Sequence, residues 1–143
     1  MRLPTLLLIV IAATGCATGR GVHTFIPADN PTRPFSAAVR ANGLLFVAGQ
    51  LGTDSSGRLV DGGVQAETRQ AMANIQAILT RAGSSLDRVV KCTVFLADMR
   101  EWGAMNEVYL TFFPADRRPA RTAAGASGLA LGGRVEIECI AAE

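Results

Sequence analysis

The last quarter of the chain reads Pro119-Ala120-Arg121-Thr122, then a loop of small residues from 125 to 133, then Val135-Glu136-Ile137-Glu138-Cys139-Ile140. In the second run apolar side chains alternate with glutamates, which is typical of a strand with one buried face. The first run reads as another strand. Each strand also carries a charged residue of chemical interest, Arg121 in the first and Glu136 in the second.

These two charged residues have a chemical and a structural interpretation. A guanidinium presents a rigid fork of donors that matches a planar carboxylate through two parallel hydrogen bonds. A nearby glutamate is suited to bind or polarise a water molecule. Alternatively, Arg121 forms a structural ion pair with Glu136 or Glu138 across a sheet. The residue types alone leave both interpretations open.

The N-terminus has the pattern of an export signal. Arg2 precedes an apolar run at positions 6–13, which is short for a membrane span, and Ala13-Thr14-Gly15-Cys16 resembles the bacterial lipobox. We expect a signal peptide over residues 1–15, lipidation of Cys16, a tether over 16–21, and a periplasmic protein whose only membrane contact is this anchor. A plain secretory signal, which would give a soluble periplasmic protein, is the alternative.

The remaining chain is the size of one domain. Cleavage before Cys16 leaves 143 − 15 = 128 residues, enough to bury a sizeable core. Without Arg2 the chain has 14 − 1 = 13 basic residues against 12 acidic ones, so we expect no nucleic-acid partner. The cluster of Arg117, Arg118 and Arg121 is the local exception, and we attribute it to solvated loop charge.

Cysteine and histidine usage gives no support for a metal site. Cys92 and Cys139 fall on the apolar faces of predicted strands, no CxxC motif occurs, and His23 is the one histidine. An oxidising compartment would permit a disulfide. We expect instead two buried thiols that behave as small hydrophobes. We assign no role to His23.

Periodicity predicts the element order β-β-β-α-β-α-β-β. An Asn42-Gly43 step marks a hairpin between strands at 35–40 and 44–48. Apolar residues at helical spacing predict a helix over 64–82, and Asp98 can cap a second one that ends near Phe113. Two helices cover one face of a sheet whose strands are apolar on both faces. The uncovered face therefore predicts an oligomer.

A series of motifs, in order, resembles the RidA/YjgF family of reactive-intermediate imine deaminases, whose members are also called endoribonuclease L-PSP-like. The resemblance covers residues 22–143, which we take as one RidA-like domain. The matching segments are Pro34-Phe35, the run from Asn42 to Gln50, Gly57, the run from Gln70 to Ile75, the run from Val90 to Met99, Asn106 with Tyr109, Phe112-Phe113, Pro119-Ala120-Arg121-Thr122 and the run from Val135 to Ala141.

The resemblance implies a chorismate-mutase-like α+β fold, assembled as a homotrimer with ligand clefts between subunits. It also implies an activity: hydrolysis of 2-imino or 2-enamino acids to 2-keto acids and ammonia, with no metal and no organic cofactor.

The resemblance also assigns site residues. Arg121 would bind the substrate carboxylate, Glu136 would position water, Asn106 matches a cleft asparagine, and Gly49 falls in a Gly-Gln turn beside the ligand. The chain departs from the family at three further cleft positions, where a tyrosine, a serine and a cysteine are replaced by Phe35, Ala48 and Ala123. These changes predict a more apolar cleft, with an altered substrate range or slower catalysis.

Two other functions are consistent with the sequence. The first is a non-catalytic trimer that binds small carboxylates at the cell envelope. The second is the ribonuclease or translation-inhibitor activity attached to parts of the family, which only Arg117 and Arg118 support here.

Overall fold

A computed structural model describes residues 23–143, so the predicted signal peptide, the tether and the lipidation site at Cys16 lie outside the described residues. The described part is one α+β unit with the predicted element order. Its strands are β1 (Thr24–Ile26), β2 (Ala38–Ala41), β3 (Leu44–Leu51), β4 (Val89–Leu96), β5 (Ala120–Gly125) and β6 (Val135–Ala142), and its α-helices are α1 (Gly63–Arg81) and α2 (Trp102–Tyr109).

The strands form one mixed sheet of six, in the order β1-β2-β3-β6-β4-β5. All neighbouring pairs are antiparallel except β4 and β5, which run parallel because α2 lies in the connection between them. The C-terminal strand β6 is therefore central, and β4 separates it from β5. The two strands at the C-terminal end of the chain are not neighbours in the sheet.

The local signals at the element ends are confirmed. Asn42 and Gly43 adopt positive φ angles of 51° and 76°, as the tight turn between β2 and β3 requires. The side chain of Asp98 accepts a hydrogen bond from the backbone N–H of Arg100, at the start of a 3₁₀ turn that leads into α2. The second helical stretch is composite, because 3₁₀ turns flank α2 at Met99–Glu101 and Leu110–Phe112.

Both helices lie on one face of the sheet, and α1 contacts β3, β6 and α2. The predicted apolar stripe of α1 is buried in the core, as Val64, Thr68, Ala71, Met72, Ile75, Ile78, Leu79 and Ala82. Glu67, a charged residue of the same helix, is only 4% exposed. Its carboxylate is tolerated there because it accepts the backbone N–H of Arg134 at 2.7 Å.

Two irregularities shift side chains relative to the simple alternation. In β4 the register shifts between Val89 and Lys91, so Val89 is buried and Val90 is 48% exposed. Strict alternation with Cys92 and Val94 predicts the reverse. In β3 the register shifts between Val47 and Gln50, and the strand continues to Leu51, beyond the predicted end at residue 48.

The prediction of two free thiols is wrong. Cys92 and Cys139 stand directly opposite each other in β4 and β6, with their Cα atoms 4.1 Å apart, and they form a disulfide. Both residues are almost completely buried. Alternation placed each cysteine on the apolar face correctly, but only the pairing of the two strands brings the two sulfurs together.

The face of the sheet away from the helices is open and partly apolar. Phe46 is 43% exposed, and Phe95 and Ile140 are partly exposed beside it, together with Glu136 and Glu138. Within residues 23–143, no helix has the length and apolar character needed to cross a membrane.

Candidate active site

Arg121 lies on the helix-covered side of edge strand β5, packed against α2. Its guanidinium carbon is 4.6 Å from the ring centroid of Tyr109 and 5.8 Å from that of Trp102. These are cation–π distances. Within residues 23–143 the side chain forms no ion pair, and its Nη1 is buried without a hydrogen-bond partner. Arg121 is thus not the solvated loop charge that its arginine neighbours suggested.

Helical and strand spacing place two other site residues beside this arginine. Asn106 falls four residues after Trp102 and three before Tyr109, so it shares their face of α2. Ala123 follows Arg121 by two positions in β5 and shares its face of the strand. The first group of predicted site residues is therefore Arg121, Asn106 and Ala123.

Glu136 belongs to a second group, on the open face. Its neighbours Val135 and Ile137 are completely buried under the helices, so alternation turns Glu136 to the opposite side. It lies over Gly49, where an added Cβ would overlap the Glu136 carboxylate and come within 3.1 Å of its Cδ. Ala48 precedes this glycine at the irregular point of β3. The Gly-Gln turn and the glutamate are therefore in contact.

The side chain of Gln50 fastens this turn. Its Nε2 donates hydrogen bonds to the carbonyl oxygens of Ala48 and Gly49, at 2.9 and 3.0 Å. Gln50 was not among the predicted site residues, although it stands inside the Gly-Gln pair. It holds the backbone on which the Glu136 carboxylate rests.

Gly49→Ala should therefore displace the Glu136 carboxylate while the fold survives. The atom that the new methyl group would meet is the end of a flexible side chain, which can move at little cost in stability. We expect the deaminase turnover implied by the sequence motifs to fall roughly tenfold to a hundredfold, since small misplacements of a reacting group have large effects. Gly128→Ala is the matched control, because nothing lies within 4 Å of the added Cβ. Equal turnover in both variants would contradict the prediction.

Phe35 lines a cavity together with Gln50, the residue that fastens the Gly-Gln turn of the second group. It is 47% exposed, with the Arg33 guanidinium 5.6 Å from its ring centroid. The cavity, of about 510 Å³, lies between α1, the loop at 28–37 and the loop at 53–57. Neither Arg121 nor Glu136 lines this cavity.

In a single protomer the two charged residues do not share a pocket. Arg121 and Glu136 lie on opposite faces of the sheet, and β4 runs between their strands. The alternative of an ion pair from Arg121 to Glu136 or Glu138 is therefore wrong. A cleft that contains both the guanidinium and the carboxylate has to be completed by a second protomer.

Burial makes the Tyr109 phenol a weaker acid than the phenol of an exposed tyrosine. The residue is 2% exposed and its hydroxyl is buried without a hydrogen-bond partner. Burial raises the pKa of Tyr109 from 10.0 to about 12, against a smaller opposing effect of the Arg121 charge. The phenol beside the guanidinium is therefore neutral at physiological pH and leaves the charge of Arg121 uncompensated.

This shift predicts a loss of stability at alkaline pH. A group that binds its proton more tightly in the folded state stabilises the fold fully below its unfolded pKa of 10.0, and this contribution disappears as pH rises towards 12. We expect the free energy of unfolding to fall by about 2–3 kcal/mol across that interval. Tyr109→Phe should lack this component. Tyr109 is the one tyrosine in the chain, so its absorbance titration reports the pKa directly; a midpoint near 10 would contradict the prediction.

The structure adds Trp102 and Tyr109 to the residues that sequence reasoning proposed for the site. Their signal was present in the sequence, because positions 102, 106 and 109 form one helical stripe with Asn106 at its centre. For metals, the described residues contain no group of three or more His, Cys, Asp or Glu side chains that could hold an ion.

Known proteins match this chain along nearly all of the described domain. The family model described as endoribonuclease L-PSP matches residues 26–143. A mouse protein named 2-iminobutanoate/2-iminopropanoate deaminase is 47% identical over 111 residues, which are 77% of this chain and 82% of the mouse protein. A RutC family protein of Pyrococcus horikoshii is 44% identical over 115 residues, or 80% of this chain and 90% of that protein. The crystal structure of RidA from an Antarctic Psychrobacter superposes with a TM-score of 0.74 at 36% identity, covering 82% of this chain and 94% of that one.

Proposed function

The chain belongs to the endoribonuclease L-PSP family, which the sequence motifs identified under the name RidA/YjgF, and from this premise we propose that it hydrolyses 2-imino or 2-enamino acids to 2-keto acids and ammonia. The observation that supports the proposal most strongly is the environment of the Arg121 side chain. Its guanidinium is held against two aromatic rings with no acidic partner among residues 23–143. An arginine used only for structure would normally be paired.

The chemistry requires little beyond binding and one proton transfer. An imine carbon is already electrophilic, so Arg121 holds the substrate carboxylate through two charge-assisted hydrogen bonds while Glu136 accepts a proton from water. The resulting hydroxide adds to the imine carbon, and the nitrogen receives first the proton that Glu136 took from water and then the proton of the new hydroxyl group. The tetrahedral intermediate then loses ammonia and becomes the 2-keto acid. An enamine enters the same route after it tautomerises to the imine.

We propose that the site is completed in a homotrimer. The open sheet face carries Glu136 and the apolar side chains of Phe46, Phe95 and Ile140, and burial of this face would drive association. Contact between protomers would also bring the Glu136 group of one chain to the Arg121 group of the next. A sedimentation measurement on the 23–143 domain that finds only monomers would contradict the trimer.

A turnover assay tests the activity. Imino acids generated in place by an amino-acid oxidase should release keto acid faster when the purified protein is added. We expect the larger aliphatic and aromatic imino acids to be accepted, because Phe35, Ala48 and Ala123 leave the cleft positions apolar. The same changes favour the second candidate, a trimer that binds small carboxylates without catalysis. No acceleration with any imino acid would reject the deaminase.

We also propose that the protein works in the periplasm, anchored through lipidated Cys16. The composition of residues 1–15 supports export, and the Cys92–Cys139 disulfide fits an oxidising compartment. Cys16→Ser should move the protein from the membrane fraction to the soluble periplasmic fraction. Retention of the Cys16→Ser protein in the membrane would contradict the anchor.

A further inference from the structure

The guanidinium of Arg121 lies within cation–π distance of two aromatic rings. Trp102 and Tyr109 are seven positions apart in the chain, two turns of helical structure, and both rings reach the same guanidinium carbon. Phe113 packs beside Tyr109, with the two ring centroids 5.1 Å apart. We call Trp102 and Tyr109 the aromatic cradle of Arg121.

Burial differs between the edges of this guanidinium. Nη1 is buried without a hydrogen-bond partner, whereas Nε and Nη2 are not among the buried unpartnered atoms. Nε and Nη2 form the edge that can donate two parallel hydrogen bonds to a carboxylate. An arginine side chain is otherwise long and flexible, and ordering it on ligand binding would reduce affinity.

From this geometry we propose that Trp102 and Tyr109 are positioning residues, which hold the Nε–Nη2 edge of Arg121 towards the substrate carboxylate before the substrate arrives. The inference rests on the proposed function of Arg121. It goes further because neither aromatic residue need touch the substrate. The aromatic cradle increases the affinity for any 2-keto or 2-imino acid, whereas Glu136 performs the water-activating step.

The first test detects the aromatic cradle in the ligand-free protein. The Nε–H signal of Arg121, identified in a ¹H–¹⁵N spectrum by its loss in Arg121→Lys, should be displaced upfield by the ring currents of the cradle. Tyr109→Leu should return it towards the positions of exposed arginines. Phe113→Leu is the matched control, because it removes a ring from the same cluster without removing one that faces Arg121. An undisplaced signal in the unmodified protein would overturn the proposal.

The second test compares the effects of cradle variants on KM and on kcat. Tyr109→Leu should weaken 2-oxobutanoate binding and raise the KM for imino acids about tenfold, the size of a desolvated cation–π contact, with little change in kcat. Tyr109→Phe keeps the ring and should restore most of the affinity. Trp102, the one tryptophan in the chain, supplies the fluorescence signal for this titration.

The outcomes separate the two proposals. Equal losses of affinity in Tyr109→Leu and Phe113→Leu, in proportion to their melting temperatures, would show a merely structural role and overturn the cradle. A tenfold loss confined to Tyr109→Leu supports it. If the unmodified protein binds no 2-keto acid and deaminates no imino acid, the proposed function is rejected. The positioning role of the aromatic cradle is then rejected with it, whatever the ¹H–¹⁵N spectrum shows.

Discussion

Arg121→Ala should abolish binding of 2-keto acids and lower the deaminase kcat/KM by at least about a hundredfold. The substitution removes two charge-assisted hydrogen bonds to the ligand carboxylate, each worth about 1.5–3 kcal/mol. The fold should tolerate it, because Arg121 forms no ion pair among residues 23–143, so its removal leaves no acidic partner unpaired. Isothermal titration with 2-oxobutanoate and the coupled oxidase assay measure both effects.

Two variants make this result interpretable. Arg118→Ala removes an exposed arginine from the adjacent loop and should leave binding unchanged. Arg121→Lys keeps the charge but loses the planar fork, so it should recover only part of the affinity. Full activity in Arg121→Ala would contradict the assignment of this residue.

Glu136→Gln separates an enzyme from a binding protein. The amide keeps the size of the side chain but cannot accept a proton from water, so we expect kcat to fall by on the order of a hundredfold with 2-keto-acid binding retained. If the unmodified protein has no deaminase turnover and Glu136→Gln binds 2-keto acids as tightly as the unmodified protein, the non-catalytic carboxylate-binding trimer becomes the better description.

Replacing Cys92 and Cys139 together by alanine should produce the largest loss of stability of any change considered. The disulfide joins residues 47 apart in sequence, and closing such a loop in the unfolded chain accounts for about 4 kcal/mol in the chain-entropy treatment. Both sites are also almost completely buried, so the smaller side chains lose packing. Urea unfolding of the unmodified protein and the double variant measures the difference.

The control is the unmodified protein, unfolded and refolded in a strong reductant. Its stability should approach that of the double variant, because the reduced chain loses the same constraint. Since the bond is buried between β4 and β6, the folded protein should resist reduction until it opens. Equal stability with and without reductant, together with alkylation of both cysteines in the protein as purified, would contradict the disulfide.

Local sequence patterns predicted a large part of the fold. Alternation along 135–141 identified the buried and exposed faces of β6, and helical spacing along 64–82 identified the core stripe of α1. The Asn42-Gly43 turn and the Asp98 cap were equally visible. Each depends on residues a few positions apart, whose relation is fixed by the geometry of one strand, helix or turn.

The candidate chemistry of the site came from the family resemblance. The residue types alone allowed either a carboxylate-binding arginine with a water-positioning glutamate or a structural ion pair. What the pattern left open was whether Arg121 and Glu136 pair with each other. The structure excludes that pairing by placing β4 between their strands and turning the two side chains to opposite faces.

Amino-acid order alone thus established the elements, their buried faces and the candidate chemistry. Strand pairing established the rest: the Cys92–Cys139 disulfide, the reversal of Val89 and Val90, and the separation of the two charged site residues. The physical reason is that sheet order and register depend on contacts between segments distant in the chain. A shift of one residue in that register exchanges the two faces of a strand and leaves the local pattern unchanged.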